Sequence, residues 1–597
     1  MGPAFEEYQA RLRQRQDRIA RLDRADQIAA AGRLVLAAAG ALLAWLAFGA
    51  HAISGLWLLA PGAAFVALAV HHGRVLGDRD AARRAAGFYT RGLDRLADRW
   101  TGTGATGARF LDDTHLYARD LDLFGDGSLF QLLSTATTPA GEETLARWLR
   151  QPAAPPEIAA RQAAIRALGP NLALREDLAV LGPDAVVPGA AAPADWGARP
   201  VRLDSAALRI AALLLALSAV VTTTGWWAFD WGYVPLAIVL VLEGLLALPF
   251  RPVVHAVLSD LDDVTPHLRR LGRLLARLER EAFDDPRLNG VQQRLFTGGH
   301  PASAHLARLE RLVVLLDSRR NQFFAPIAAA LLWSTQLACA VDAWRRQAGP
   351  AVAGWLEAVG EFEALAALAG YSYEHPDDPF PAIDPSGPVF DGEGLGHPLI
   401  PEAHCTRNDV RLGGGAARVL LVSGSNMSGK STLLRTVGLA TVLGLAGAPV
   451  RATRLRLSPL AVGATLRIED SLQAGRSRFY AEITRLREIV DLARQDTPVL
   501  FLLDEIFHGT NSHDRRLGAE AVVRSLMRLG AVGLVTTHDL ALTELAEASG
   551  GALRNVHFED QLQDGRMTFD YRVREGIVQT SNALALMKAV GLEVGDD

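Results

Sequence analysis

Cysteine and lysine are the scarce residues of this 597-residue chain. The only two cysteines, Cys339 and Cys405, lie far apart and without metal-ligand spacing. That excludes a metal centre built on cysteine and reads as two reduced, buried thiols in a cytosolic environment. Of 61 Lys+Arg residues, only Lys430 and Lys588 are lysine. A lysine that persists against such an arginine preference marks a place where a compact ammonium is needed and a planar guanidinium does not fit. An excess of charge is lacking too: at net −5 and pI about 6.3 there is no global basic footprint for nucleic acid, although a local basic face remains open.

What is abundant is apolar sequence, 49% of residues with a mean hydropathy of +0.13, high for a soluble protein. The length predicts about three to four domains. Residues 1–33 read as a charged helix in which arginines alternate with acids. Two charge-free apolar runs follow within 34–72, Leu34–Ala50 and Ala52–Val70, and arginine returns at Arg74, Arg79, Arg83 and Arg84. The pattern recurs in 208–250, where Arg209 and Arg251 bracket two apolar runs whose turn bears Trp226, Trp227 and Trp231. Each run approaches the ~20 residues that cross a bilayer. Arginine outside and tryptophan at the turn predict two hairpins with cytoplasmic ends, as in an integral protein of a bacterial-type inner membrane. Buried helices of a soluble core are the competing reading. A cleaved secretory signal is disfavoured, because the first run starts late and a second follows at once. Glu243, inside the fourth run, reads either as a protonated or hydrogen-bonded carboxyl or as a functional group.

Residues 73–207 and 251–374 read as helical, the latter through Leu268, Leu271, Leu274, Leu275 and Leu278 at helical spacing. A Pro-rich linker is predicted over 375–401, and strand–helix alternation over 402–597 predicts a parallel α/β domain. The fold class is thus multidomain: α-helical membrane hairpins and helical core or lever regions plus a C-terminal α/β phosphate-loop domain.

The strand Arg418–Ser423 runs into Gly424-Ser425-Asn426-Met427-Ser428-Gly429-Lys430-Ser431, which fits G-x-x-x-x-G-K-[ST]. The glycines let backbone N–H groups turn inward, and the helix from Thr432 aims its positive end at phosphates. Lys430 is expected to reach the β and γ phosphates of ATP, and the Ser431 hydroxyl to ligate Mg²⁺. The apolar strand Val499–Leu503 ends in Asp504 and Glu505. Asp504 is expected to hold Mg²⁺ and Glu505 to orient or deprotonate the attacking water. A third strand, Val532–Thr537, ends in His538, a candidate γ-phosphate sensor.

These motifs resemble those of the MutS family of DNA mismatch-repair ATPases. Ser423–Thr432 is similar to the family's TGPNMGGKST loop, with Asn426-Met427 as the distinguishing pair. Asp470-Ser471-Leu472, Gly475-Arg476-Ser477-Arg478-Phe479 and Glu482 resemble its D-D-L-x-x-G-R-S-x-F-x-x-E motif. Asp504-Glu505-Ile506 through Gly509-Thr510-Asn511-Ser512 and Asp514 resemble D-E-I-G-R-G-T-S-T-x-D, and Thr537-His538 the family's T-H segment. Upstream, Ser128–Leu133, Trp148-Leu149 and Arg161 look like the start of the MutS core, from about residue 112, and Gly396-His397-Pro398 like its R-H-P element.

The resemblance implies Mg-ATP hydrolysis in a homodimer whose sites are completed across the interface. Ser477 would contact the partner's γ-phosphate, His538 would be the γ-phosphate switch, and Ser581-Asn582 and Leu584 would fall in a dimer-forming segment. Two departures bear on the substrate. No mismatch-reading domain is recognisable, Phe5-Glu6-Glu7 being an accidental Phe-x-Glu, and His508 stands where the family has arginine. Two readings of the load follow. One is DNA, mismatched, branched or damaged, met by Arg269, Arg270, Arg273, Arg277 and Arg280, which read equally as a solvated or headgroup-facing surface. The other is an ATP-driven dimeric switch acting on a protein or lipid partner at the membrane.

Overall fold

The computed structural model describes residues 2–182, 193–467, 478–507, 512–537, 543–563 and 566–578. They form two units, one of Met1–Thr135, Glu142–Arg175 and Ala364–Asp597, the other of Ala136–Gly141 and Glu176–Glu363.

The first unit opens with a long helical hairpin, Pro3–Ala44 and Leu59–Leu96. The charged helix and first apolar run expected as separate pieces form one continuous helix. The change at Arg33-Leu34 alters which solvent the surface prefers, not the backbone, because Arg, Leu and Ala all favour helix. Above that point Leu34, Val35 and Leu42 face outward. Below it the hairpin is held by polar groups: His72 Nε2 lies 2.6 Å from Asp26 Oδ1, and Arg79 donates to Asp26 Oδ2 at 2.6 Å.

At the foot of the hairpin Tyr8 is 1% exposed and packs on Phe88, Tyr89 and Tyr373. A side chain at position 92 would collide with its ring, so glycine is required there. The Tyr8 hydroxyl donates to Glu374 Oε1 at 3.2 Å, and Arg95 Nε donates to Glu374 Oε2 at 2.7 Å. Burial pushes the Tyr8 phenol well above its ordinary range, so it remains a donor at any physiological pH. Glu374 ends the helix Val352–Glu374, from which the chain enters the sheets.

The strands are β1 (Ala382–Ile383), β2 (Val389–Leu395), β3 (Asn408–Gly413), β4 (Val419–Ser423), β5 (Arg454–Leu457), β6 (Ala461–Thr465), β7 (Val499–Leu503), β8 (Val532–Thr537), β9 (Leu553–Gln563) and β10 (Arg566–Glu575). A four-stranded sheet has order β1-β5-β2-β3, and a six-stranded sheet has order β10-β9-β4-β8-β7-β6. From β9 to β6 every pairing is parallel, with β10 antiparallel at the edge. The central strands β4, β7 and β8 are buried along their whole length, as strands covered on both faces must be, which is why their sequences run apolar instead of alternating. Val419, Leu421, Phe501, Leu503 and Val535 pack against Leu486 and Ile489 of helix Arg478–Leu492 and Val523 and Leu526 of helix Ser512–Arg528. The stretch 375–401, expected as a Pro-rich linker, carries β1 and β2. Strands of two and seven residues among prolines leave little periodicity to detect.

The second unit contains the other hairpin, Ala206–Phe229 and Val234–Glu279. Its turn takes Asp230 to φ 54°, and Gly225 leaves room for the Trp231 ring. Here too the apolar run and the lever beyond it are one helix, continuing through Pro249, Pro252 and Pro266. The leucines at helical spacing are buried as expected, Leu268 through Leu278 packing in a bundle with helices Ala302–Asp317 and Trp333–Ala348. Asp342 is fully buried, pairs with Arg345, and accepts from the N–H groups of Arg202 and Leu203 at 2.8 Å each. Glu243 is buried, and its Oε1 has no hydrogen-bond partner among the described residues.

Among the described residues, four helices are long and apolar enough to cross a membrane: Pro3–Gly49, Gly55–Leu96, Ala206–Phe229 and Val234–Glu279. Their apolar windows are at most 22% buried, so the greasiest surface of the protein faces outward.

Candidate functional site: a phosphate loop and its acidic strand

The site is assembled where three parallel strands end together. β4 delivers Gly424 at φ 147°, and the loop closes at Gly429, φ 106°, which caps the helix Lys430–Ala446. Both conformations favour glycine. A Cβ at 424 would also stand 2.9 Å from Ser428 Oγ and 3.2 Å from Phe558 O, so the loop's curl leaves no room for a side chain. Asn426 and Met427 form its crest, Met427 at φ 67° and 85% exposed. Ser425 Oγ and Ser428 Oγ are buried without hydrogen-bond partners among the described residues. Buried hydroxyls left so are stable only when something else satisfies them. Together with the helix N-terminus, they form a cradle for an anion.

Lys430 is 4% exposed, its Nζ donating to Gly424 O and Ser425 O at 3.0 Å each and lying 3.5 Å from Glu505 Oε1. Burial depresses the ammonium's pKa, and Glu505 and Asp504 oppose that shift. The ammonium therefore braces the loop while facing the acid that follows β7, two strands away in the sheet. A guanidinium would not fit between two carbonyls of one tight loop.

Asp504 and Glu505 follow β7 directly, and Thr536, one residue before the end of β8, positions both. Its hydroxyl donates to Asp504 Oδ1 at 2.5 Å and accepts from the Glu505 N–H at 2.9 Å. Glu505 takes φ 47° and Phe507 φ 64°, and the Phe507 N–H is held by the buried carboxylate of Glu482. Glu482 was legible as part of a motif, but its task of bracing the backbone just past Glu505 was not. Thr536 carried no signal, since a threonine ending an apolar strand is unremarkable until the fold sets it beside Asp504.

A cavity of about 670 Å³ opens on this corner, a size usual for small-ligand sites. Its polar wall is Asn426, Lys430, Ser431, Thr432 and Glu505, and its far wall holds His397, Ile400, Phe558 and Tyr571. Burial and the nearby Arg435 and Arg451 push the His397 imidazole down to about 4, so it is neutral at physiological pH. Arg451 fixes that wall by donating to His397 O at 3.1 Å and Ile400 O at 2.6 Å. The cavity joins an anion cradle to an uncharged, partly aromatic wall. Gly424, Ser425, Asn426, Met427, Ser428, Gly429, Lys430, Ser431, Thr432, Asp504 and Glu505 are thus gathered at one corner. His538, Ser477, the rest of the 470–477 motif, His508 and the 581–584 segment lie outside the described residues.

Residues 420–594 match the sequence profile of MutS domain V. The described part of the matched segment begins within β4 and takes in the glycine loop, the two acids and Thr536. Relatives similar to the chain include the DNA mismatch repair protein MSH3 of Coccidioides immitis, 37% identical over 192 residues, 31% of this chain and 17% of that protein. MSH3 of Phaeosphaeria nodorum is 38% identical over 182 residues, 30% of this chain and 16% of that protein. Endonuclease MutS2 of Thermus thermophilus is 35% identical over 197 residues, 33% of this chain and 25% of that protein. The chain therefore spans a quarter or less of the length of these relatives.

One consequence of this geometry concerns Thr536. Thr536→Val keeps the shape but removes the hydroxyl shared by Asp504 and Glu505. Should Asp504 hold a metal ion, loss of the partner that orients it would lower activity about 10–100-fold. If the site turns over a nucleotide, that drop would fall on kcat with nucleotide affinity little changed, as read by steady-state turnover and equilibrium titration.

Proposed function

We propose that the protein is a membrane-tethered Mg-ATPase of MutS type, working as a homodimer and coupling its nucleotide state to DNA. The observation that carries this reading is the corner cavity, lined by Asn426, Lys430, Ser431, Thr432 and Glu505, with Lys430 3.5 Å from Glu505 and the unsatisfied Ser425 and Ser428 hydroxyls in the same loop. These residues fit ATP: the loop and helix N-terminus take the phosphates, and the neutral wall at His397 takes the base. Ser431 and Asp504 would hold Mg²⁺, which neutralises charge on the phosphates when bound. Glu505 accepts a proton from the water that attacks the γ-phosphate. Ser477 and His538 are proposed to act in this site, Ser477 from the partner subunit. The two apolar hairpins are proposed to cross a bilayer, with the ATPase domain on the cytoplasmic side.

DNA as the load is supported by the relatives, two of which are named as mismatch repair proteins and one as an endonuclease. One observation favours the second reading, a protein or lipid partner. Along helix 234–279, Arg269 pairs with Glu310 at 2.8 Å, and Arg277 with Asp177 at 2.6 Å and with Glu281, so this stripe carries its own counter-charges. Titrating detergent-purified full-length protein with duplex, mismatched and branched DNA separates the two. Affinity that falls linearly in log–log terms as salt rises supports DNA. No binding to any of the three at low salt removes DNA as the load.

A further inference from the structure

The six-stranded sheet ends at β6, and what lies along that edge comes from far upstream in the chain. The Ala464 N–H donates to Leu116 O at 2.9 Å, which sets the stretch 113–123 on the outer side of β6. Arg485 of helix Arg478–Leu492 grips the start of this stretch, donating to Asp113 O at 3.0 Å and Thr114 O at 3.2 Å. Towards its end Arg435, on the helix that Gly429 caps, donates through Nε to Asp120 O at 3.2 Å. Leu121 is fully buried against the same helix, where Gly438 leaves it room: a Cβ there would stand 2.6 Å from the Leu121 side chain. The stretch lies wholly outside the matched segment 420–594.

Asp120 is 4% exposed, and its Oδ1 accepts the N–H of Leu466 at 2.6 Å and that of Arg467 at 2.9 Å. These are the first two residues after β6. Thr465, the last residue of β6, faces the other way, its C=O accepting the Asp504 N–H at 3.0 Å. Asp504 is therefore held from both sides. Thr536 on β8 fixes its carboxylate, and the end of β6, clamped in turn by Asp120, fixes its backbone. An edge strand is paired on one side only, so the backbone beyond Thr465 takes its anchor from outside the sheet. Burial pushes the Asp120 carboxyl above its ordinary range, and Oδ1 accepts in either protonation state. What the clamp needs is an acceptor, not a charge.

We propose that Asp120 is a positioning residue of the corner site: by clamping the backbone after β6 it sets where Asp504 stands. A segment some 300 residues upstream of the phosphate loop thus completes the corner, which residues 420–594 do not build alone. This rests on reading that corner as an ATPase, and the test keeps the two ideas apart.

Full-length Asp120→Ala and Asp120→Asn are compared with the parent in detergent. The readouts are kcat, the equilibrium dissociation constant of ATP and, without nucleotide, hydrogen exchange over residues 464–467 and 503–505. Asp120→Ala should lower kcat about tenfold or more, as small displacements of a reacting group do, with ATP affinity unchanged and exchange faster in both stretches. Asp120→Asn keeps the acceptor without the charge and should recover most of that loss. Parent-like kcat in Asp120→Ala, or equal losses in the two variants, overturns the assignment. ATP affinity falling together with kcat also overturns it, because that marks general loosening of the domain. Should the alanine protein not fold, Asp120→Ser, which offers one shorter acceptor, takes its place with the same expected order. A parent that neither binds nor hydrolyses ATP removes the ATPase reading, and exchange then decides alone. Faster exchange at 503–505 in Asp120→Ala, recovered in Asp120→Asn, supports the link from Asp120 to Asp504, and unchanged exchange there overturns it.

Discussion

Replacing Glu505 by glutamine should abolish steady-state ATP hydrolysis while leaving ATP binding intact. The carboxylate stands 3.5 Å from Lys430 at the mouth of the cavity, and its backbone is fixed by Thr536 on one side and by Glu482 bracing Phe507 on the other. The amide is nearly isosteric and preserves those backbone bonds, but it is no base. A positioned general base contributes about 10²–10⁴-fold. A turnover drop of that size is therefore expected in clean Glu505→Gln protein, with an ATP dissociation constant close to the parent's. Persisting turnover would remove Glu505 from its proposed role.

The second large effect is structural and lies at the foot of the first hairpin. Glu374 is buried and accepts from Arg95 and from the Tyr8 hydroxyl, so one carboxylate ties helices 3–44 and 59–96 to the helix that leads into the sheets. Glu374→Ala leaves the Arg95 guanidinium buried without its counter-charge. Removing one partner of a buried pair costs about 3–5 kcal/mol. Tyr8→Phe, which deletes a single hydrogen bond, should cost only about 1 kcal/mol. Hydrogen exchange of full-length protein in detergent reads the difference directly. Amides around Tyr8 and Tyr89–Arg95 should lose protection strongly in Glu374→Ala and weakly in Tyr8→Phe. Equal protection in all three proteins would mean that the hairpin is held by its aromatic packing alone.

The parts of this architecture that were legible in the sequence are those that neighbours along the chain decide. The phosphate loop could be read residue by residue, because Gly424 and Gly429 meet a local backbone demand and Lys430 stands out in a chain nearly devoid of lysine. The buried parallel strands were legible as uninterrupted apolar runs, and the hairpins as charge-free stretches between arginines. What depends on distant residues was not legible. Thr536 acquires its role only when β8 lies beside β7, and the Tyr8–Arg95–Glu374 lock joins residues up to 366 positions apart. Domain edges drawn from composition at 33, 250 and 375 met a continuous helix, another continuous helix and a stretch containing two strands. Composition reports what a surface faces, whereas helix continuity is set by backbone propensity.

The most direct test of the central claim, that the corner cavity is an ATP site, is equilibrium binding of Mg-ATP to detergent-purified full-length protein and to its Lys430→Ala variant. The account predicts saturable binding, one ATP per subunit, that is lost or weakened by orders of magnitude when the Lys430 ammonium is removed. Absence of saturable binding in the parent protein, or equal affinity in the two, would contradict it.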